Sequence, residues 1–239
     1  MFRPNVTRES ASSRTTTHSQ LGDKPLIALR NARVTVSGGD RVLLDVPELD
    51  LFSGERVVIT GPSGSGKSML LSTLTGRWAP GLHFTGERTT SLASIGLIPQ
   101  RGLDALHPLI PLARQLRRVS NTSEEKVRSA LTSVGLTDPE LWRRRPAEMS
   151  GGQAQRAAVA LAILTDAPLI LADEPTSALD HTTRDRTLHM LDTVIDTSRT
   201  LVVVTHDPAV ADALATRHLT ITAGKVTEIP VSALQGASR

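Results

Sequence analysis

Apolar residues in this chain follow two patterns. Val57-Val58-Ile59, Leu169-Ile170-Leu171-Ala172 and Leu201-Val202-Val203-Val204 are continuous blocks, which predict strands covered on both faces. Val127, Ala130, Leu131 and Val134 instead fall at i, i+3, i+4 and i+7, the spacing of one helix face, and Leu188, Leu191 and Ile195 mark another helix. Leu26 to Val36 and Arg41 to Leu51 read as strand-rich segments split by the turn Ser37-Gly38-Gly39-Asp40. Glu55 to Thr60 predicts a strand, Lys67 to Thr75 a helix stopping near Gly76, and Ser94 to Ile98 a strand ending at Pro99-Gln100. The pattern is helical from about Leu109 to Val134, with Gly135 as its stop, and Ser150 opens an alanine-rich helix. Alternation of strand and helix predicts an α/β core with a mainly parallel sheet. Gly102 to Glu148 interrupts it with helices only, so a helical subdomain over about residues 102–149 is expected as an insertion.

A chain of 239 residues suffices for one sizeable domain. It contains no cysteine, which excludes disulfides and thiolate metal sites. No apolar run approaches the roughly 20 residues that cross a bilayer. The net charge is only +3, and tyrosine is absent, so direct binding of nucleic acid is not expected. Residues 1–24 are rich in Ser, Thr and Arg, with only Glu9 and Asp23 as acids and no apolar core. They predict a disordered leader rather than a secretory signal, which leaves 25–239 as the folded domain.

Candidate chemistry begins directly after the first continuous block. "GPSGSGKS", Gly61-Pro62-Ser63-Gly64-Ser65-Gly66-Lys67-Ser68, fits G-x-x-x-x-G-K-[ST] between a predicted strand and helix. Glycines at these positions let successive N–H groups point inward around phosphate oxygens. Lys67 offers a cation to the β- and γ-phosphates, the Ser68 hydroxyl can ligate Mg²⁺, and the helix start adds its positive dipole end. A P-loop NTPase core is the expectation. In "LILADE", a strand ends in Asp173, suited to holding Mg²⁺, and Glu174, suited to act as general base.

"EMSGGQAQR" (Glu148 to Arg156) narrows the field, because it resembles the signature of the ATP-binding cassette (ABC) ATPases, with Met149 where leucine is usual. Gln100 in "LIPQ" resembles that family's Q-loop, "SALD" (Ser177 to Asp180) its D-loop, and His206 in "VVVTHD" its switch histidine. The likeness spans about residues 26 to 228. Independently of it, Ser150 is a good N-cap, and Gly151 and Gly152 leave first-turn N–H groups uncovered, which makes a second phosphate-binding helix end. The resemblance implies two cassettes paired head to tail, each ATP lying between the loop of one and the signature of the other. It implies an N-terminal antiparallel β subdomain as well. Lys67 and Ser68 then hold phosphate and Mg²⁺, Gln100 and Asp173 complete the metal shell, Glu174 polarises water and His206 contacts the γ-phosphate. Ser150, Gly151, Gly152, Gln153 and Asp180 complete the nucleotide site across the pair.

A single cassette with no membrane span implies transmembrane permease subunits on separate chains, and a position at the cytoplasmic face of the membrane. "QRGLDALHPLIPLARQL" (Gln100 to Leu116) resembles the peptide, opine and nickel importers, with His107-Pro108 at an Asn-Pro position and Gly102 in place of proline. That likeness implies a solute-binding protein in the complex; an exporter subunit, or a non-transport ABC ATPase acting on nucleic acid, is the alternative. Arg114, Arg117, Arg118 and Arg143 to Arg145 cluster in the helical segment, as a surface facing a membrane subunit or anionic headgroups would. ABC ATPases commonly stack adenine on an aromatic residue at a position where this chain offers Val34, Val36 or Ser37. That leaves an aliphatic side chain, or an aromatic of another chain, to hold the base. Weak discrimination between ATP and GTP is therefore expected in a nucleotide competition assay, and strong ATP preference would overturn that expectation.

Overall fold

The computed structural model describes residues 24–39, 41–177 and 181–230. The predicted leader lies outside them except for residue 24. Nine strands form one sheet in the order β4-β1-β2-β9-β8-β3-β7-β6-β5. The continuous apolar blocks are its centre: β3 (Arg56–Thr60), β6 (Leu169–Asp173) and β7 (Thr200–Thr205) pair in parallel, with β5 (Gly96–Ile98) beyond β6. All five residues of β3 and all six of β7 are buried, as their composition requires. β1 (Ile27–Val36) and β2 (Val42–Leu51) form an antiparallel hairpin, and β4 (Leu82–Thr90) pairs antiparallel with β1 at the sheet edge. The fold is thus mixed α/β, with a mainly parallel sheet and antiparallel N-terminal strands.

The sheet divides two apolar cores. Leu70 and Leu74 of α1 (Lys67–Thr75) pack with Ile27, Leu29, Val57 and Ile59 on one side. On the other, α5 (Gly151–Leu164) lays Ala157 and Ala160 close to Ile170 and Leu191. The alanines of α5 are at most 1 % exposed; their small side chains let the helix approach neighbouring elements closely.

Between β5 and α5 the chain forms only helical elements. The helical pattern from Leu109 to Val134 divides into α2 (Leu112–Ser120) and α3 (Glu124–Ser133). Asn121, at φ 49°, ends α2, and the Ser123 hydroxyl accepts from Lys126 N to cap α3, so polar punctuation breaks what apolar spacing alone read as continuous. Val127, Ala130, Leu131 and Val134 are all buried, as predicted. α4 (Pro139–Arg143) follows and lies against α2, where Leu112 N donates to Arg144 O. After α6 (His181–Val194) and β7 come α7 (Pro208–Leu214), β8 (Arg217–Thr222) and β9 (Lys225–Ile229), which the apolar pattern had left unassigned.

Arg56, 6 % exposed, ties the end of α6 to β3 by donating to Arg199 O and Ile195 O at 2.6 Å each. Thr60, the last residue of β3, shares a 2.8 Å hydrogen bond with Nε2 of buried His218 on β8, while the other ring nitrogen has no partner. Burial holds the His218 pKa below its ordinary range, opposed by the charge of Asp212. The unfolded chain therefore binds this proton more tightly than the folded one. Stability is full above about pH 6.5 and falls as pH drops through that value towards the folded pKa. Urea unfolding midpoints should decline on acidification more steeply in the native protein than in His218→Gln; equal slopes would remove the assignment.

Candidate functional site

The phosphate loop occupies the C-terminal end of β3, between that strand and α1. A Cβ at Gly61 would lie 2.4 Å from Ile221 O, so the chain can leave the strand here only as glycine. Gly66 stands at φ 112°, in the left-handed region, with Leu43 O 3.0 Å from where its Cβ would be. No side chain caps the first turn of α1, so its N–H groups are free for a ligand. Gly224 N donates to Ser65 O at 2.8 Å, pinning the loop to the β8–β9 turn. Within the loop, Lys67 is 7 % exposed, its ammonium donating to Gly61 O at 2.8 Å and Pro62 O at 3.0 Å.

The two predicted carboxylates meet this cation. Glu174 Oε1 is 3.6 Å from Lys67 Nζ, and its other oxygen is hydrogen-bonded to His206 Nδ1. Glu174 holds φ 45°, a conformation a non-glycine residue enters at a cost of about 1–3 kcal/mol. Its own N–H bonds to Val204 O, which fixes the turn out of β6 against β7. His206 follows directly on β7 and is held by the next residue, Asp207, which caps α7 through Ala209 N and pairs with Arg184 at 3.0 Å. Burial, then the charge of Glu174, pushes the Asp173 carboxyl above the usual carboxylate range, with Lys67 opposing.

One cleft of about 770 Å³ gathers Pro62, Ser63, Gly64, Gly66, Lys67, Ser68, Gln100, Asp173, Glu174 and His206 in its lining. Gly61 and Ser65 support it from behind. Four predicted residues stand apart: Ser150, Gly151, Gly152 and Gln153, at the tip of α5, do not line it. There the Ser150 hydroxyl accepts from Gln153 N, and the Gln153 carbonyl oxygen accepts from Ser150 N, a reciprocal cap that keeps the Gln153 side chain engaged. Gly151 and Gly152 are exposed, with nothing within 4 Å of a built Cβ. Asp180 lies outside the described residues; Ser177, at the start of that loop, accepts from the Gln100 amide at 3.3 Å. Leu43 and Met69 line the cleft too and were not foreseen. Of the three residues proposed for the adenine position, Val34 is fully buried and unavailable, whereas Val36 is 39 % exposed at the hairpin end.

The family model described as "ABC transporter" matches residues 44–177. The chain belongs to the ABC transporter family. It is 36 % identical over 217 residues to an aliphatic sulfonates import ATP-binding protein of Streptomyces avermitilis, covering 88 % of this chain and 82 % of that one. It is 32 % identical over 191 residues to the ATP-binding protein of a lipoprotein-releasing system of Chromohalobacter salexigens, covering 72 % and 80 %. Among solved structures, the post-hydrolysis dimer of the ATP-binding cassette MJ0796 bound to ADP and Pi matches at TM-score 0.71 and 28 % identity, over 86 % of this chain and 98 % of that one.

This ABC ATPase therefore presents its phosphate loop and carboxylates at one cleft. The expected tie to peptide, opine and nickel importers is not what these relatives single out, since they are named for sulfonate import and lipoprotein release. Mg²⁺ fits the residues present: Asp173, its carboxyl pushed upward by burial and then by the charge of Glu174, is a group that a divalent cation would relieve, and Ser68 and Gln100 bring neutral oxygens to the same cleft. Gly66→Ala should lower stability by about 1–3 kcal/mol and weaken ATP binding, because the new Cβ meets both an unfavourable φ and the Leu43 carbonyl. Urea unfolding and nucleotide titration check both effects.

Proposed function

We propose that this chain is the ATP-hydrolysing subunit of a transporter, working at the cytoplasmic face of the membrane on permease subunits encoded as separate chains. The observation carrying this reading is the division of the predicted site. The phosphate loop, Asp173, Glu174, Gln100 and His206 share one cleft, while Ser150 to Gln153 lie outside it. A second cassette placed head to tail would bring its α5 tip to that cleft, its first-turn N–H groups meeting the γ-phosphate.

In this reading Lys67 holds the β- and γ-phosphate oxygens, as does the backbone from Gly61 to Ser68. Ser68, Gln100 and Asp173 would hold Mg²⁺, which would supply positive charge against the phosphates. Glu174 takes a proton from the water whose oxygen bonds the γ-phosphorus as the bond to the leaving ADP oxygen breaks. His206, hydrogen-bonded to Glu174, orients that carboxylate and stands next to the γ-phosphate. Asp180, in "SALD", serves the nucleotide site across the pair.

Exposed apolar and cationic groups support a permease contact on the helical segment. Leu109 is 63 % exposed, and its loop lies beside Arg144 and Arg145 through the bonds Ala147 N to Pro108 O and Leu112 N to Arg144 O. Arg114, Arg117 and Arg118 are exposed on α2 as well. The segment Gln100 to Leu116 favours import of a peptide, nickel or a related small solute, delivered by a solute-binding protein. A second reading, export, is favoured by 36 % identity over 223 residues to the macrolide export ATP-binding/permease protein of Paracoccus denitrificans, of which this chain covers 33 %. Isolation of the chain with its membrane partner separates the two.

Glu174→Gln should cut ATP turnover on the order of a hundredfold or more while ATP still binds. Near-normal turnover would remove Glu174 from the proposed chemistry.

A further inference from the structure

His206 leaves β7 with little of its own to hold it. Its side chain is exposed, and among the described residues Glu174 is its hydrogen-bond partner. The direction of the imidazole is therefore set by the backbone on either side. Thr205, before it, is buried as the last residue of β7. Asp207, after it, is fixed at three atoms. Its N–H donates to Thr205 Oγ1 at 3.1 Å, its Oδ1 accepts from Ala209 N at 3.0 Å, and its Oδ2 accepts from Arg184 Nη1 at 3.0 Å.

The first two bonds build the start of α7, where a short polar residue is the common cap. The third comes from α6, an element that the cap does not need. Arg184 also engages Asp185 through Nε at 3.0 Å, so its planar fork is oriented from two edges. The side chains of Arg184 and Asp207 are 19 % and 30 % exposed, which removes much of the solvent screening that makes surface pairs weak. Turning Asp207 out of this pair would swing the peptide it shares with His206, and the imidazole with it, away from Glu174.

We propose that Arg184 is a positioning residue for the hydrolytic centre: its ion pair with Asp207 holds the peptide that follows His206 and so keeps the imidazole on Glu174. The inference rests on the role proposed above for His206 and names the residue, on a different helix, that secures it. The pairing requires a carboxylate at 207, whereas asparagine would serve the α7 cap equally well. The two roles of Asp207 are therefore separable by substitution.

In the full chain, Asp207→Asn keeps the cap of α7 and removes the charge that Arg184 pairs with, while Arg184→Met removes the guanidinium and keeps most of the apolar stem. Steady-state ATP hydrolysis should show kcat lowered about fivefold in each, the rate equivalent of about 1 kcal/mol. KM for ATP should stay within about twofold, because neither substitution touches the phosphate loop. The double variant should be no slower than either single one. Placed in a His206→Ala background, Arg184→Met should cost nothing further, since it acts through that residue. The melting temperature of Asp207→Asn should hardly move. Unchanged kcat, additive losses, a further loss in the His206→Ala background, or a fall in kcat matched by a fall in melting temperature would reduce the pair to an ordinary structural contact. Should Arg184→Met fail to fold, Asp207→Asn decides alone. If His206→Ala itself hydrolyses ATP at the native rate, the role of His206 is overturned and this inference with it; if His206→Ala is impaired and the other variants match the native chain, the inference alone fails.

Discussion

A buried ammonium organises this molecule. Lys67 is almost fully covered, and placing its charge there would cost several kcal/mol without compensation. Compensation comes from two loop carbonyls, Gly61 O and Pro62 O, and from Glu174. Each of those demands something of the scaffold. The carbonyls turn inward only because the chain leaves β3 through glycine, under the Ile221 carbonyl. Glu174 reaches the cation only by adopting a left-handed backbone at the end of β6, braced by Val204. Strand order then matters for chemistry: β3, β7 and β6 are neighbours, so the loop, His206 and the two carboxylates emerge side by side.

Much of this was legible in the chain. Continuous apolar blocks located the central strands, because residues covered on both faces leave a signal that needs no register. The phosphate loop and "LILADE" stood out through residue type and position, and the fold brings them to one cleft. The reading failed where the determinants are polar or long-range. β4 exposes most of its length and carries Gly86, so alternation was too weak to mark it. α2 and α3 merged because the break rests on Asn121 and Ser123 rather than on apolar spacing. Leu43 entered the cleft lining by a hairpin folding over the loop, a contact no local pattern encodes. The pairing of Glu174 with His206 spans 32 residues and follows only from adjacent strands.

Relatives named for import and for release resemble this chain to similar degrees. That is what the geometry leads one to expect. In the proposed reading the cleft serves phosphate, metal and water, and its lining is drawn from the phosphate loop and its neighbours. On the proposed reading, direction and selectivity would lie with the permease, so relatives of opposite direction can share this half of the fold.

Residue 174 faces two incompatible demands. Its backbone angle suits glycine, and its task requires a long carboxylate. A glycine there would relax the turn but remove the carboxylate that faces Lys67 and His206, while a shorter side chain would inherit the strain without the reach. Ease of backbone at this one position would thus come only by leaving the buried ammonium to its two loop carbonyls.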